Sequence, residues 1–317
     1  MKLSFEKFQE AVVKMLKGYL PDSYKKAELS LRPITKNNGV VRNTLTVSLP
    51  KEIVAPNLRL DNFYQLYLAD KGTETQSLDN VLEKMAEVIV ENQPLSNYLK
   101  AEVDRTFMDY EAVKDKIIPC LRNGKANSEY IADKPHRRFL DMLVTYKVLI
   151  QDYPNTRMTT SITHSLKEMW GVTEEDLYRQ AISNMSSLCS YKLMPLEYLV
   201  FARSIGMPLS AVPSTSELDF GQLYVAVNES LTDGSTMLLD DALLKDISTK
   251  SKADLLILPS SVDEVIMIPC PPGKAFKESI AVLRNMVREV NSTEVPGELI
   301  LSDAVYRYSA KKGLTIA

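Results

Sequence analysis

The chain's most chemically suggestive stretch is Pro135-His136-Arg137-Arg138. Two guanidiniums beside an imidazole, entered through a proline, suit a phosphate or carboxylate bound through paired, charge-assisted hydrogen bonds. His136 adds an imidazole, a side chain suited to proton transfer. The competing reading sends Arg137 and Arg138 to opposite sides of a strand, each paired with an acid near in sequence such as Asp133 or Asp141. A second candidate is Pro259-Ser260-Ser261-Val262-Asp263, where the hydroxyls of Ser260 and Ser261 and turn amides suit an anion, although Ser and Asp also serve ordinary turns.

Catalytic and metal patterns are sparse. His136 and His164 are the only histidines, so a metal-independent hydrolase would need one of them beside a nucleophile and an acid. Neither serine sits in GxSxG, so no nucleophile elbow is expected. Cys120, Cys189 and Cys270 form no CxxC pair and no HExxH is present, so we expect no structural metal and inert thiols. Neither GxxxxGK[ST] nor GxGxxG occurs, so no phosphate-cradling loop and no cofactor are expected.

Composition narrows the class. With 38 Lys plus Arg against 41 Asp plus Glu, a net charge of -3 disfavours a nucleic-acid partner. Residues 1–16 mix Lys2, Glu6, Lys7 and Glu10 among apolar positions and do not read as a signal peptide, and no run approaches membrane-spanning length. Three scattered cysteines suit a reducing cytoplasm. Oligomeric state leaves no mark on the sequence.

The elements that must position these residues read as α+β, mixed sheets packed with helices, in two to three small units of one compact chain. The first unit, 1–103, opens with an amphipathic helix over 4–18 carrying Phe8, Val12 and Leu16. A hairpin follows across Asn37-Asn38-Gly39, then a helix capped at Asp61, then a helix over 77–92 ended by Pro94. Phe63, Tyr64 and Tyr67 are expected in its core. The middle unit, 104–215, holds a strand over 116–121, one long strand over 139–150, and a helix capped at Thr173 with Asp176; Trp170 is expected as a core plug. The C-terminal unit, 216–317, reads strand, helix (235–248), strand (254–258), strand (264–268), helix (274–290) and strand (304–308). Leu255–Leu258 and 265–268 are apolar without alternation, as in strands covered on both faces. Strand 222–227 is expected beside 254–258, in parallel, through a right-handed crossover.

Several phrases taken together, Lys36-Asn37-Asn38-Gly39, Pro135-His136-Arg137-Arg138-Phe139-Leu140-Asp141, Trp170-Gly171-Val172-Thr173-Glu174-Glu175-Asp176, Leu256-Ile257-Leu258-Pro259-Ser260-Ser261, and Glu289-Val290-Asn291 followed by Leu301-Ser302-Asp303, resemble an uncharacterised bacterial domain family, DUF5688-type. The 173–178 helix and the helix, strand, strand ending are also similar to a second uncharacterised family, DUF1444-type. The resemblance implies an α+β architecture and a cytoplasmic bacterial or phage origin, and it assigns no catalytic residue. The leading expectation is a non-enzymatic cytoplasmic protein that binds an anionic small molecule such as a nucleotide, in a groove between units near residues 136–138, in the manner of a phage or mobile-element sequestering protein. The alternatives are a hydrolase using His136 or His164 and a protein–protein interaction module.

Overall fold

The computed structural model describes residues 2–49, 57–107, 109–153, 156–228, 230–259, 261–272 and 277–317. The chain forms two compact units, one of Met1–Lys36 with Val41–Asp109, the other of Asn37–Val40 with Tyr110–Ala317.

In the first unit, α1 (Phe5–Met15) starts where the Ser4 hydroxyl accepts the Lys7 N–H, and buries Phe8 and Val12, with Leu16 just past its end buried at the same four-residue spacing. Strands β1 (Glu28–Thr35), β2 (Val41–Ser48) and β3 (Asn57–Arg59) form an antiparallel sheet that sets Leu29 opposite Val47 and Leu31 opposite Leu45. Helix α2 (Leu60–Ala69) begins one residue before Asp61: Arg59 is the cap position, and Asp61 favours the helix instead from its first turn, where a carboxylate meets the positive end of the dipole. Phe8, Tyr64 and Tyr67 pack ring on ring, with Tyr67 fully buried and Phe63 half-buried. Helix α3 (Glu74–Thr106) runs on through Pro94, which therefore does not end it; the ring removes one backbone N–H from the ladder of a helix long enough to keep the rest.

The second unit opens with α4 (Tyr110–Val113) and a sheet of β4 (Ile117–Asn123), β5 (His136–Phe139), β6 (Met142–Tyr153) and β7 (Thr156–Ser161). Every pairing is antiparallel: β4 lies along one edge of β6, while β5 and β7 share the other, β5 opposite its first part and β7 opposite its second. The long strand expected over 139–150 is thus two strands joined by a two-residue turn, because Leu140 takes the left-handed conformation at φ 56°. No glycine or proline marks that turn. Gly124 lies against it: a Cβ there would stand 2.1 Å from the Asp141 carbonyl oxygen.

Helices α5 (His164–Met169) and α6 (Glu174–Leu188) follow, with Thr173 and Asp176 forming the expected capping box. α6 buries Leu177, Ala181 and Met185. Trp170 is half-buried, its ring 5.8 Å from that of Tyr110, and is not a core plug.

The remaining elements build a six-stranded antiparallel sheet: β8 (Tyr191–Pro195), α7 (Leu196–Ser204), β9 (Tyr224–Asn228), α8 (Asp241–Lys250), β10 (Asp254–Leu258), β11 (Glu264–Cys270), α9 (Lys277–Thr293), β12 (Tyr306–Ser309) and β13 (Gly313–Ile316), in strand order β13-β12-β10-β11-β9-β8. β9 does not pair with β10: β11 lies between them, with Ile266 opposite Val225 on one side and Leu258 on the other. The short return after Leu258 brings β11 straight back alongside β10, and it takes the place the crossover would have filled. β10 is buried throughout, Leu255 and Ile257 completely, whereas β11 alternates, with Val265 and Met267 completely buried and Ile266 and Ile268 half-buried, so β11 is not covered equally on both faces as its apolar run suggests. The helix expected over 235–248 is a 3-10 segment, Gly234–Leu239, followed by α8, which starts where Asp240 accepts the Leu243 N–H at 2.9 Å.

Candidate functional site

Residues 136–138 all lie on β5, where successive side chains face opposite ways. Arg137 meets the start of α6. Its Nε and Nη2 donate to the two oxygens of Glu174 at 2.8 and 2.7 Å, Nη2 also reaches Glu175 at 2.6 Å, and the guanidinium lies 3.8 Å over the Tyr178 ring. Its acids are therefore Glu174 and Glu175, not Asp133 or Asp141: a helix packed on the strand brings distant residues closer than sequence neighbours. Buried Tyr146 donates to Glu174 as well. Burial pushes the Glu174 carboxyl up, and these donors overcome it, so the group titrates below the usual range.

His136 and Arg138 are exposed on the other face of β5. His136 Nδ1 lies 2.9 Å from the Lys134 carbonyl oxygen, which only accepts, so Nδ1 donates this hydrogen bond. His164 begins α5, its backbone N–H donating to the Asp133 carbonyl oxygen at 2.8 Å. Among the described residues, neither imidazole is bonded to a carboxylate or hydroxyl.

Ser260 lies outside the described residues. Ser261 is buried, and its hydroxyl accepts the Asp263 N–H at 3.1 Å, which is turn chemistry. Among the described residues no hydrogen bond joins it to residues 136–138. The three thiols are buried, and burial pushes Cys120 up to about 11. No group of three or more metal-ligating side chains occurs among the described residues, and no helix among them is long and apolar enough to cross a membrane.

Two features escaped the sequence. One is a buried charge cluster. Asp233, left-handed at φ 52°, accepts from Arg122 at 2.9 Å and from Lys147 at 2.7 Å, and its N–H donates to Asp263 at 2.9 Å. Burial raises the Asp233 carboxyl and the two cations more than reverse this, holding it well below the usual range; burial with the nearby Asp233 charge raises that of Asp263. Asp233-Gly234 reads in sequence as an ordinary turn.

The other is a cleft of about 800 Å³ bounded by the end of α8, the start of α9 and the β12–β13 hairpin. Among the described residues that line it, the cationic side chains are Lys252, Arg307, Lys311 and Lys312, and the acidic side chain is Asp254. Asp254 takes two hydrogen bonds from Arg307, at 2.7 and 3.1 Å. The lysines are exposed, and among the described residues none has an acidic partner. Ile280, Ile316, Pro272 and Ala253 supply an apolar wall. At the end of α8 the carbonyls of Ile247, Ser248 and Thr249 accept the N–H groups of Ser251, Ala253 and Lys252.

A family described as Family of unknown function (DUF5688) matches residues 5–310. The chain belongs to this family. Likeness to the second family is not shown, and neither curated proteins nor solved structures provide a match. The phrases that carry the DUF5688 resemblance are largely structural ties within the second unit. Asp141 accepts from Ser302 at 2.8 Å and from Tyr306, and Asn291 donates to Asp303 at 2.8 Å. Asn38, also left-handed, donates to the carbonyls of Gly297 and Ile300, and Asn127 donates to its side chain.

Proposed function

We propose that this chain is a non-enzymatic, cytoplasmic binding protein for an anionic small molecule, a nucleotide or similar phosphate ester, and that the ligand occupies the cleft beside β12–β13. The observation that carries the reading is the rim of Lys252, Lys311 and Lys312, without acidic partners among the described residues, around about 800 Å³ of space. That volume lies within the range of small-molecule sites, which pair an apolar lining with a few polar anchors. Ammonium groups on flexible stems suit a phosphate as point charges. The apolar wall suits a base or a sugar edge. Three buried free thiols accord with a reducing compartment. Arg137 serves a different purpose in this reading, since its donors already meet two carboxylates.

The test is calorimetric titration of a nucleotide panel into the full chain, with Lys311→Ala/Lys312→Ala and Arg138→Ala as variants. Binding is expected for at least one phosphate ester, weakened at least about tenfold by the lysine pair, since a hydrogen bond to a charged group contributes about 1.5–3 kcal/mol. Arg138→Ala should leave it unchanged. Binding lost in Arg138→Ala and kept in the lysine variant would move the site to the exposed face of β5.

A further inference from the structure

The helical layer of the second unit has an apolar outer surface. In α7, Leu199 and Ala202 face the core at 1% exposure each, whereas Val200, Phe201 and Tyr198 are 60%, 58% and 47% exposed, and Ile205 just beyond is 55% exposed. Met207 follows, its N–H donating to the Ala202 carbonyl at 2.9 Å, and Leu223 lies at the other end, its carbonyl accepting the Leu196 N–H at 2.9 Å. Phe220 is exposed close by in sequence.

α9 lies on the same side of the sheet. Ile266, which packs with Val287 of α9, stands opposite Val225, which packs with Leu199 of α7, and residues directly opposite share a face. α9 turns its own apolar stripe outward, Val282, Met286 and Val290 at four-residue spacing. A monomer seldom leaves so much apolar surface on one side in water.

We infer that this surface is the interface between two copies of the chain, centred on α7. Size is the first argument. Side chains of this size bury roughly 150–250 Å² each, so the exposed parts of the residues around α7 amount to about 700 Å², near the ~800 Å² per partner of a stable interface. Charge is the second. The charges on α7 are Glu197 and Arg203, opposite in sign, and Arg203 is already held by Glu264 of the same chain at 2.9 Å, so α7 carries no net charge that would repel a second copy across a two-fold axis. An anionic membrane or a nucleic acid would draw a surface rich in Lys and Arg, which this one is not. The inference is independent of the cleft.

Sedimentation velocity of the full chain over a range of concentrations tests it. The wild type is expected at twice 35.7 kDa. Phe201→Glu should raise the dimer dissociation constant at least ~30-fold, as removal of a central apolar anchor does. Val200→Lys, at a position more than half exposed, should do the same with an unchanged melting curve and covers the event that Phe201→Glu misfolds. Leu66→Glu, exposed in the first unit, should leave the dimer intact. A wild type that stays monomeric throughout, a dimer indifferent to Val200→Lys, or a dimer equally lost in Leu66→Glu would overturn the assignment.

Discussion

Arg307 and Asp254 satisfy each other on paired strands, Nη2 to Oδ2 at 2.7 Å, and this leaves the neighbouring lysines of the cleft without a carboxylate. Asp254→Asn would remove a negative charge from the cleft. Under the binding account it should strengthen phosphate-ester affinity, read by calorimetry, with a steeper loss on adding salt because the site then carries one more net positive charge.

Removing Asp233 should be among the most damaging single changes in the second unit. Asp233→Ala leaves Arg122 and Lys147 buried without their anion, and breaking a buried pair typically costs about 3–5 kcal/mol. Urea denaturation checks it. The pH dependence has a definite sign: the folded Asp233 carboxyl titrates below its unfolded value, so its contribution is present above the unfolded value and is lost as pH falls through the folded one. Asp263, raised in the fold, works in the opposite sense, its contribution present in acid and fading as pH rises. The wild type should lose stability in acid more steeply than Asp233→Asn.

Asp70 offers a cleaner titration. Hydrogen bonds from Ser77, Asn80 and the Gly72 N–H hold its carboxyl at about 2. Carboxyl NMR should find a midpoint near that value, and Ser77→Ala should move it toward the ordinary aspartate range. An ordinary midpoint in the wild type would contradict the hydrogen-bonded geometry.

Arg137 and Arg138 should part company. Arg137→Ala abandons Glu174 and the Tyr178 ring and should destabilise the fold by about 1–3 kcal/mol, while Arg138→Ala, exposed on the strand's other face, should fall within about 0.5 kcal/mol of wild type. Thermal melts of both variants decide it.

Much of the fold was legible because local chemistry agreed with it. The apolar runs at 255–258 and 265–268 proved to be strands, the first buried throughout and the second at alternate residues, and Thr173 with Asp176 marked the start of α6 where it lies. The turn at Leu140 was hidden because left-handed leucine leaves no sequence sign, and α3 kept its helix through Pro94 because one missing donor does not outweigh the rest of its ladder. β8 and β13 are short edge strands, with too few residues to show a period. The candidate site was the least legible part. Arg137 finds Glu174 thirty-seven residues away, and Lys252 joins Lys311 and Lys312 only because β10 and β12 are neighbours in the sheet.

Calorimetric titration of phosphate esters into wild type and Lys311→Ala/Lys312→Ala reaches the central claim most directly. The account predicts saturable binding to the wild type, weakened at least about tenfold by the loss of the two ammonium groups. No binding across the panel, or binding indifferent to both lysines, would contradict it.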